Sequence, residues 1–344
     1  MTLSSGLAHH LPGGRFGNPW PGPSLPGFGG ILRWTLERAW RGRFGLRAKG
    51  RAPAPVPSSL HSSRSGTNEL RVSWIGHSTF LLQIGGLNVL TDPMFSKRAS
   101  PVRWAGPRRL TAPGIALEAL PPIDLILQSH DHYDHFDDAS IRALAIKHPQ
   151  ATWCAPLGLG DRLRARGVSQ IVERDWFETA APCSGGAFAD TKVTCTPARH
   201  FSGRGLADRN ATLWCGWVVE TAAHRAYFVG DTAHHRDFGE IGRKCGPFDL
   251  VLMPIGAYDP RWFMRPVHMD PEEAVAAYAS IVEAQTARGE NGTVMAAMHW
   301  GTFVLTDEPV DEPPRRAQAA WAAHGFSEAD LWLMAPGETR TLGR

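Results

Sequence analysis

The chain has 344 residues, 43% of them hydrophobic and 20% charged, enough apolar mass for a large core without staples and far from the composition of a natively unfolded chain. Its formal net charge of +3 is too small to point to nucleic acid, no run approaches the roughly 18 uninterrupted apolar residues that cross a bilayer, and the start holds no secretory apolar core. The five cysteines, Cys154, Cys183, Cys195, Cys215 and Cys245, are widely spaced and form no C-x-x-C pair, which predicts reduced, mostly buried thiols and a cytoplasmic protein.

The charge is unevenly distributed. Residues 1–64 hold eight Arg and one Lys against Glu37 alone, so the remainder is net acidic. Residues 1–67 read as an N-terminal arm. Its flanks, Asn18-Pro19-Trp20-Pro21-Gly22-Pro23 and Ala52-Pro53-Ala54-Pro55-Val56-Pro57, are too rich in Pro and Gly for helix. Between them, Ile31–Arg41 predicts a short amphipathic helix, with Leu32, Leu36, Ala39 and Trp40 on one face and Arg33, Glu37 and Arg41 on another. Most such helices pack their apolar face on the protein body, and that is the expectation here. The alternative is peripheral contact between residues 1–64 and an anionic membrane surface.

From Leu70 the pattern alternates through Val72, Trp74, Phe80, Leu82 and Ile84, turns at Gly85-Gly86 and continues to Leu90, which predicts a β-meander. Further strands are predicted over 124–129, 151–155, 192–197, 213–220, 224–230, 249–255 and 293–300. Helices are predicted over 137–147, 159–166, 271–288 and 314–324. The third is opened by Asp270 as N-cap, Pro271 at its first turn, and Glu272 and Glu273 behind it. Strands mixed with helices imply packed sheets flanked by helices, an α/β arrangement over 68–344.

The chemistry is concentrated in His130-Asp131-His132-Tyr133-Asp134-His135, directly after the apolar strand Leu125-Ile126-Leu127. Imidazole and carboxylate suit zinc and its first-row neighbours, and a run leaving a strand end turns its side chains to different sides of one pocket. One ion cannot easily use all of these groups. If His130 and His132 face one ion while Asp134 and His135 face another, the run is half of a binuclear site. Three more candidates stand where apolar runs end: His200, Asp231 and His299. Taken singly, each is an ordinary capping or core residue; together they share one placement, at strand ends where loops gather functional groups.

In motif and order, His130-x-His132-x-Asp134-His135 followed by His200, Asp231 and His299 resembles the metallo-β-lactamase fold superfamily. Within it, the chain from Arg15 onward is similar to the N-acyl-phosphatidylethanolamine-hydrolysing phospholipase D family. The segments that carry the likeness include Asn18-Pro19-Trp20-Pro21, Trp74-Ile75-Gly76-His77, Thr91-Asp92-Pro93-Met94-Phe95-Ser96, the run from Pro254 to Met264, His268-Met269-Asp270-Pro271 and His299-Trp300-Gly301-Thr302. The resemblance implies a four-layer αββα sandwich over 68–344 with two zinc ions at one edge. It implies His130, His132 and His200 on the first ion, Asp134, His135 and His299 on the second, and Asp231 bridging.

The activity so implied is phosphodiester hydrolysis of phospholipase D type. A hydroxide shared by the ions attacks phosphorus in N-acyl-phosphatidylethanolamine-like lipids, releasing phosphatidic acid and an N-acyl ethanolamine. Asp134, Asp231 and His268 are the catalytic candidates, with His77, Tyr258 and Arg261 as substrate contacts and Asp92 in support. Blander roles stand beside these: a turn at Asp92-Pro93, a core histidine at 77, an Arg261-Trp262 stack, and His268 closing the start of a helix. Arg204 and Arg209 are candidates to meet a phosphate, and His234 and His235 are expected to face solvent. The alternative function is a hydrolase of the same fold acting on a soluble ester, lactone or β-lactam. The partners on this reading are a phospholipid or other small ester and a membrane surface, with a homodimer allowed and no nucleic acid.

Overall fold

In the computed structural model, which describes residues 8–23, 26–40, 50–58, 60, 63–182, 190–205, 207–286 and 292–343, the arm opens with a small hairpin. Strands β1 (His10–Leu11) and β2 (Arg15–Phe16) pair antiparallel, and Gly13 and Gly14 supply the two left-handed residues, φ +78° and +69°, that such a tight turn needs. Phe16 and Trp20 are buried in the main core, so the first part of the arm is built into the body.

Helix α1 (Phe28–Trp40) matches the predicted helix; Arg41, the last residue of the prediction, lies outside the described residues. Its packing corrects the expectation. Leu32, Leu36 and Trp40 are 49%, 60% and 89% exposed, while the opposite face holds the body: Trp34 stacks on Phe263 and donates to Asp307, and Arg38 pairs with the same carboxylate at 3.0 Å. The polar anchors on Asp307 fix the helix's rotation, and the Leu/Trp face is left outward.

The predicted meander is β3 (Glu69–Gly76), β4 (Thr79–Ile84) and β5 (Leu87–Thr91), antiparallel in turn. It continues in parallel through β6 (Leu125–Leu127), β7 (Thr152–Pro156) and β8 (Ile171–Arg174). The last strand of the chain, β16 (Thr339–Gly343), closes the other edge on β3. The second sheet runs in the order β15 (Leu331–Trp332), β14 (Val294–Met298), β13 (Leu250–Pro254), β12 (Arg225–Phe228), β11 (Gly216–Glu220), β10 (Lys192–Thr196) and β9 (Thr179–Ala180).

Side-chain alternation builds the layers. Val72, Trp74, Phe80, Leu82 and Val89 point into the core shared by the two sheets. Leu81, Leu90, Ile126 and Trp153 point outward, onto Ile141 and Leu144 of α2 (Asp138–Lys147) and Leu163 of α3 (Gly160–Arg164). The second sheet is covered by α4 (Phe238–Cys245), α6 (Pro271–Thr286) and α7 (Glu312–Ala323), while α5 (Arg261–Met264) is a single turn near its edge. This is the expected αββα sandwich. The predicted end of α6 at 287–288 lies outside the described residues, as does Cys183. Of the other cysteines, Cys154, Cys195 and Cys215 are buried and Cys245 is partly buried. Among the described residues no helix is long and apolar enough to cross a membrane.

Candidate metal centre

The donors arrive from the ends of β6, β10, β12 and β14, so both sheets contribute to one edge of the sandwich. After β6 the chain leaves the sheet and coils: the backbone N–H groups of His135 and Phe136 both donate to the His132 carbonyl, which fans the intervening side chains apart. The coil is braced from outside by Arg204. Its guanidinium donates to the carbonyls of Asp131 and Phe136 at 2.9 and 2.8 Å and to Asp138, and lies 3.9 Å from the centre of the Tyr133 ring. Asp131, the one acidic residue of the run directed away, accepts from Gly203 N–H and faces Arg162. The phosphate contact expected of Arg204 is thus replaced by a brace, because its donors are engaged by the loop that presents the ligands.

Two groups of donors result. His130 Nε2 lies 2.9 Å from His132 Nδ1, which lies 3.2 Å from His200 Nε2. Beside them, Asp134 Oδ2 is 3.4 Å from the Nε2 atoms of both His135 and His299. Asp231 Oδ2 stands between the groups, 3.1 Å from His135 and His299, 3.8 Å from His200 and 4.0 Å from His130. Ligand atoms about 2.0–2.1 Å from a tetrahedral zinc are separated by about 3.3 Å, and the separations here run from 2.9 to 4.0 Å around that value.

Neighbouring groups fix which nitrogen of each ring faces inward. His200 Nδ1 donates to the Val267 carbonyl at 2.9 Å and His135 Nδ1 to Asp92 at 2.6 Å, which turns each Nε2 to the interior. Asp92 also accepts from Ser129 N–H and hydroxyl and from Gln128. Burial drives His77, His200 and His268 down to about 3 and His132 to about 4; these are neutral, ligand-ready imidazoles. Burial pushes Asp134 and Asp231 up, but the charge of His135 and its neighbours overrides it and holds both well below the usual carboxylate range. In return, and against burial, Asp231 and Asp134 lift His299 to about 9. Positive charge is therefore wanted inside the cluster. The buried atoms without a hydrogen bond point the same way: they include His135 Nε2, His299 Nε2 and Asp231 Oδ1. The residues fit a pair of divalent cations.

The other expected site residues sort by their contacts. His77 donates to Asp134 Oδ2 at 2.9 Å with its ring 4.1 Å from that of His299, so it orients a donor. His268 Nδ1 is 4.0 Å from Asp231 Oδ2, buried and unpaired, with its ring 5.1 Å from His200. Arg261 donates to the His268 carbonyl and to Glu273, and pairs with Asp270; it fastens the His268 segment to the start of α6. Tyr258 donates to Glu312 at 2.8 Å beneath Arg316, apart from the donor cluster. Both side chains, expected as substrate contacts, are hydrogen-bonded within the fold. His234 is exposed as expected; His235 is not, being stacked between Trp20 and Phe238. Sequence reasoning missed Ser129, Gln128 and the Val267 carbonyl, none of which has a motif, and Asn18, which donates to the His200 carbonyl at 2.8 Å.

Comparison with known proteins agrees with this geometry. A family model described as a beta-lactamase superfamily domain matches residues 87–300. An uncharacterized protein of Mycobacterium tuberculosis is 45% identical over 273 residues, 78% of this chain and 69% of its own. The N-acyl-phosphatidylethanolamine-hydrolyzing phospholipase D 1 of Caenorhabditis elegans is 39% identical over 266 residues, 75% of this chain and 72% of its own. A metallo hydrolase of the archaeon Ignicoccus hospitalis superposes with a TM-score of 0.58 over 80% of this chain and 99% of its own at 21% identity, a likeness of fold.

Proposed function

Since the chain belongs to the metallo-β-lactamase superfamily, as a metal-dependent hydrolase related to the N-acyl-phosphatidylethanolamine-hydrolysing phospholipases D, we propose that it is a binuclear zinc phosphodiesterase that cleaves N-acyl-phosphatidylethanolamine-like lipids to phosphatidic acid and an N-acyl ethanolamine. Two zinc ions held by His130, His132, His200, Asp134, His135, His299 and Asp231 would supply Lewis acidity and an activated water. The protein's own part is orientation. Asp92 and Val267 set the tautomers of His135 and His200, and His77 holds Asp134. His268, neutral and with Nδ1 unpaired beside Asp231, is placed to accept a hydrogen bond from substrate or to relay a proton to the leaving alkoxide, taking one up at one ring nitrogen as it releases one from the other.

The observation that favours a lipid over a soluble ester is the outward apolar face of α1. Ile31 joins Leu32, Leu36 and Trp40 there at 50% exposure, and α1 rests on Phe263 of α5, close in sequence to His268. An apolar, basic helix beside the catalytic edge suits an enzyme that draws its substrate from a membrane. Purified zinc-loaded protein should hydrolyse N-acyl-phosphatidylethanolamine in vesicles faster than a soluble phosphodiester or a lactone. Preference for the lactone, with no phosphatidic acid formed, would establish the soluble-ester reading instead.

A further inference from the structure

Outside the binuclear centre, the described residues contain a second convergence of His and Asp donors that the hydrolytic reaction does not use. His9 Nε2 lies 2.6 Å from one carboxylate oxygen of Asp175 and His10 Nε2 lies 2.7 Å from the other. All three donor atoms fall within 4.8 Å of one another. We propose that His9, His10 and Asp175 form a third divalent-cation site of zinc-like preference, which clamps the N-terminal hairpin to the catalytic body.

The site is built. His9 is 3% exposed and stacks on Trp176 at 4.1 Å between ring centres, with the His10 ring edge-on at 4.5 Å. Asp175 is held from behind, its Oδ1 accepting from Trp176 N–H and its own N–H donating to Glu178. It stands in the short link between β8 and β9, where the chain passes from one sheet to the other. Each ring donates an Nε2–H to Asp175, and an ion that displaces these two protons meets two imidazole nitrogens and a carboxylate oxygen, a zinc-type donor set. Separations of 2.6–2.7 Å need to widen to about 3.3 Å to admit an ion with bonds of about 2.0–2.1 Å. That is a small movement for His10, whose side chain is 34% exposed. The same exposure leaves water a coordination position.

The clamp would reach the reaction centre through a short path. Gly17 N–H donates to the His9 carbonyl, and the next residue, Asn18, donates to the carbonyl of the ligand His200. A cation at His9 and His10 therefore fixes the segment that supports His200 from the arm side.

The test uses untagged full-length protein with the binuclear centre already loaded, titrated with zinc chloride and followed by calorimetry and thermal melting. The wild type should take up a further equivalent of zinc and melt at a higher temperature on doing so. His10→Gln keeps a polar group on an exposed position; it should lose that equivalent and its thermal gain while retaining the first two equivalents and hydrolytic turnover. Absence of the further equivalent in the wild type, or its persistence in both His10→Gln and Asp175→Asn, overturns the proposal. In that case the three side chains are a hydrogen-bonded tie between arm and body.

Discussion

Asp92→Asn tests whether the charge behind His135 is what makes that ring a metal ligand. The substitution preserves shape in a fully buried position. The Asp92 carboxylate accepts four hydrogen bonds, from Ser129 N–H, Ser129 Oγ, Gln128 Nε2 and His135 Nδ1; asparagine offers one acceptor oxygen and a donor. If the oxygen stays with Ser129 N–H and Gln128, the amide NH2 faces His135. The ring then accepts through Nδ1 by moving its proton to Nε2, the atom that faces Asp134 and Asp231. That proton must leave before an ion binds. Loss of such an outer hydrogen bond costs about 10–100-fold in metal affinity, about 1.4–2.8 kcal/mol, and the strained donor set about 1–3 kcal/mol of stability. Competition with a chromophoric chelator should show one ion weakened by that factor and the other nearly unchanged, with activity restored by excess zinc. Two ions of wild-type affinity in a folded Asp92→Asn protein would refute the tautomer argument.

Asp231→Ala and His132→Ala should each abolish turnover and release metal while far-ultraviolet circular dichroism stays native; full occupancy with wild-type activity would remove these residues from the ligand set. For His268→Ala, kcat should fall by about 10²–10⁴, the usual weight of general acid–base help, with both metals retained; unchanged kinetics would make it a structural residue. Arg204→Ala should destabilise by about 1.5–3 kcal/mol, the worth of charge-assisted hydrogen bonds, seen as a lower Tm with KM little altered, whereas a large rise in KM at unchanged Tm would restore it as a phosphate contact. Leu36→Glu with Trp40→Glu should reduce binding to anionic vesicles by at least tenfold and leave hydrolysis of a soluble phosphodiester intact, since each buried apolar side chain contributes about 1.5–3 kcal/mol; sedimentation with vesicles measures it.

The parts of the fold that were legible in the sequence are those with a period. The meander from Leu70 to Leu90 and the apolar runs of β6, β10, β12, β13 and β14 all appear within a few residues of their predicted ranges. What stayed hidden has a physical reason in each case. β15 and β9 have two residues apiece, too few to show alternation. α4 carries Gly239 and Gly242 inside it, the latter packed on the backbone of Ile281 in α6, so helix–helix contact outweighs poor propensity. The rotation of α1 was decided by Asp307, hundreds of residues away in the chain. The clustered His and Asp side chains were visible because their residue types are dense and stand at strand ends. The groups that aim them were not, since a backbone carbonyl or a serine has no identity that marks it for the task.

Backbone conformation shows why aiming matters more than donor count. His77, Asp92 and His299 are non-glycine residues at φ 57°, 26° and 62°, in a region that costs of order 1–3 kcal/mol per residue. All three sit where a strand ends at the site, and two are tied together by the His299 N–H to the His77 carbonyl. Glycine would relieve the backbone at each position but would remove a donor or its orienting partner. The strain persists because the surroundings over-determine it: Thr302 Oγ1 holds the His77 N–H at 2.7 Å, and the Asp92 N–H donates to the Leu127 carbonyl at the end of β6. Local preference and tertiary geometry therefore conflict at His299 and at the residues that position His135 and Asp134. A sequence-level reading passes over such positions, and they are where a substitution at a residue that does not itself bind metal should weaken metal binding most.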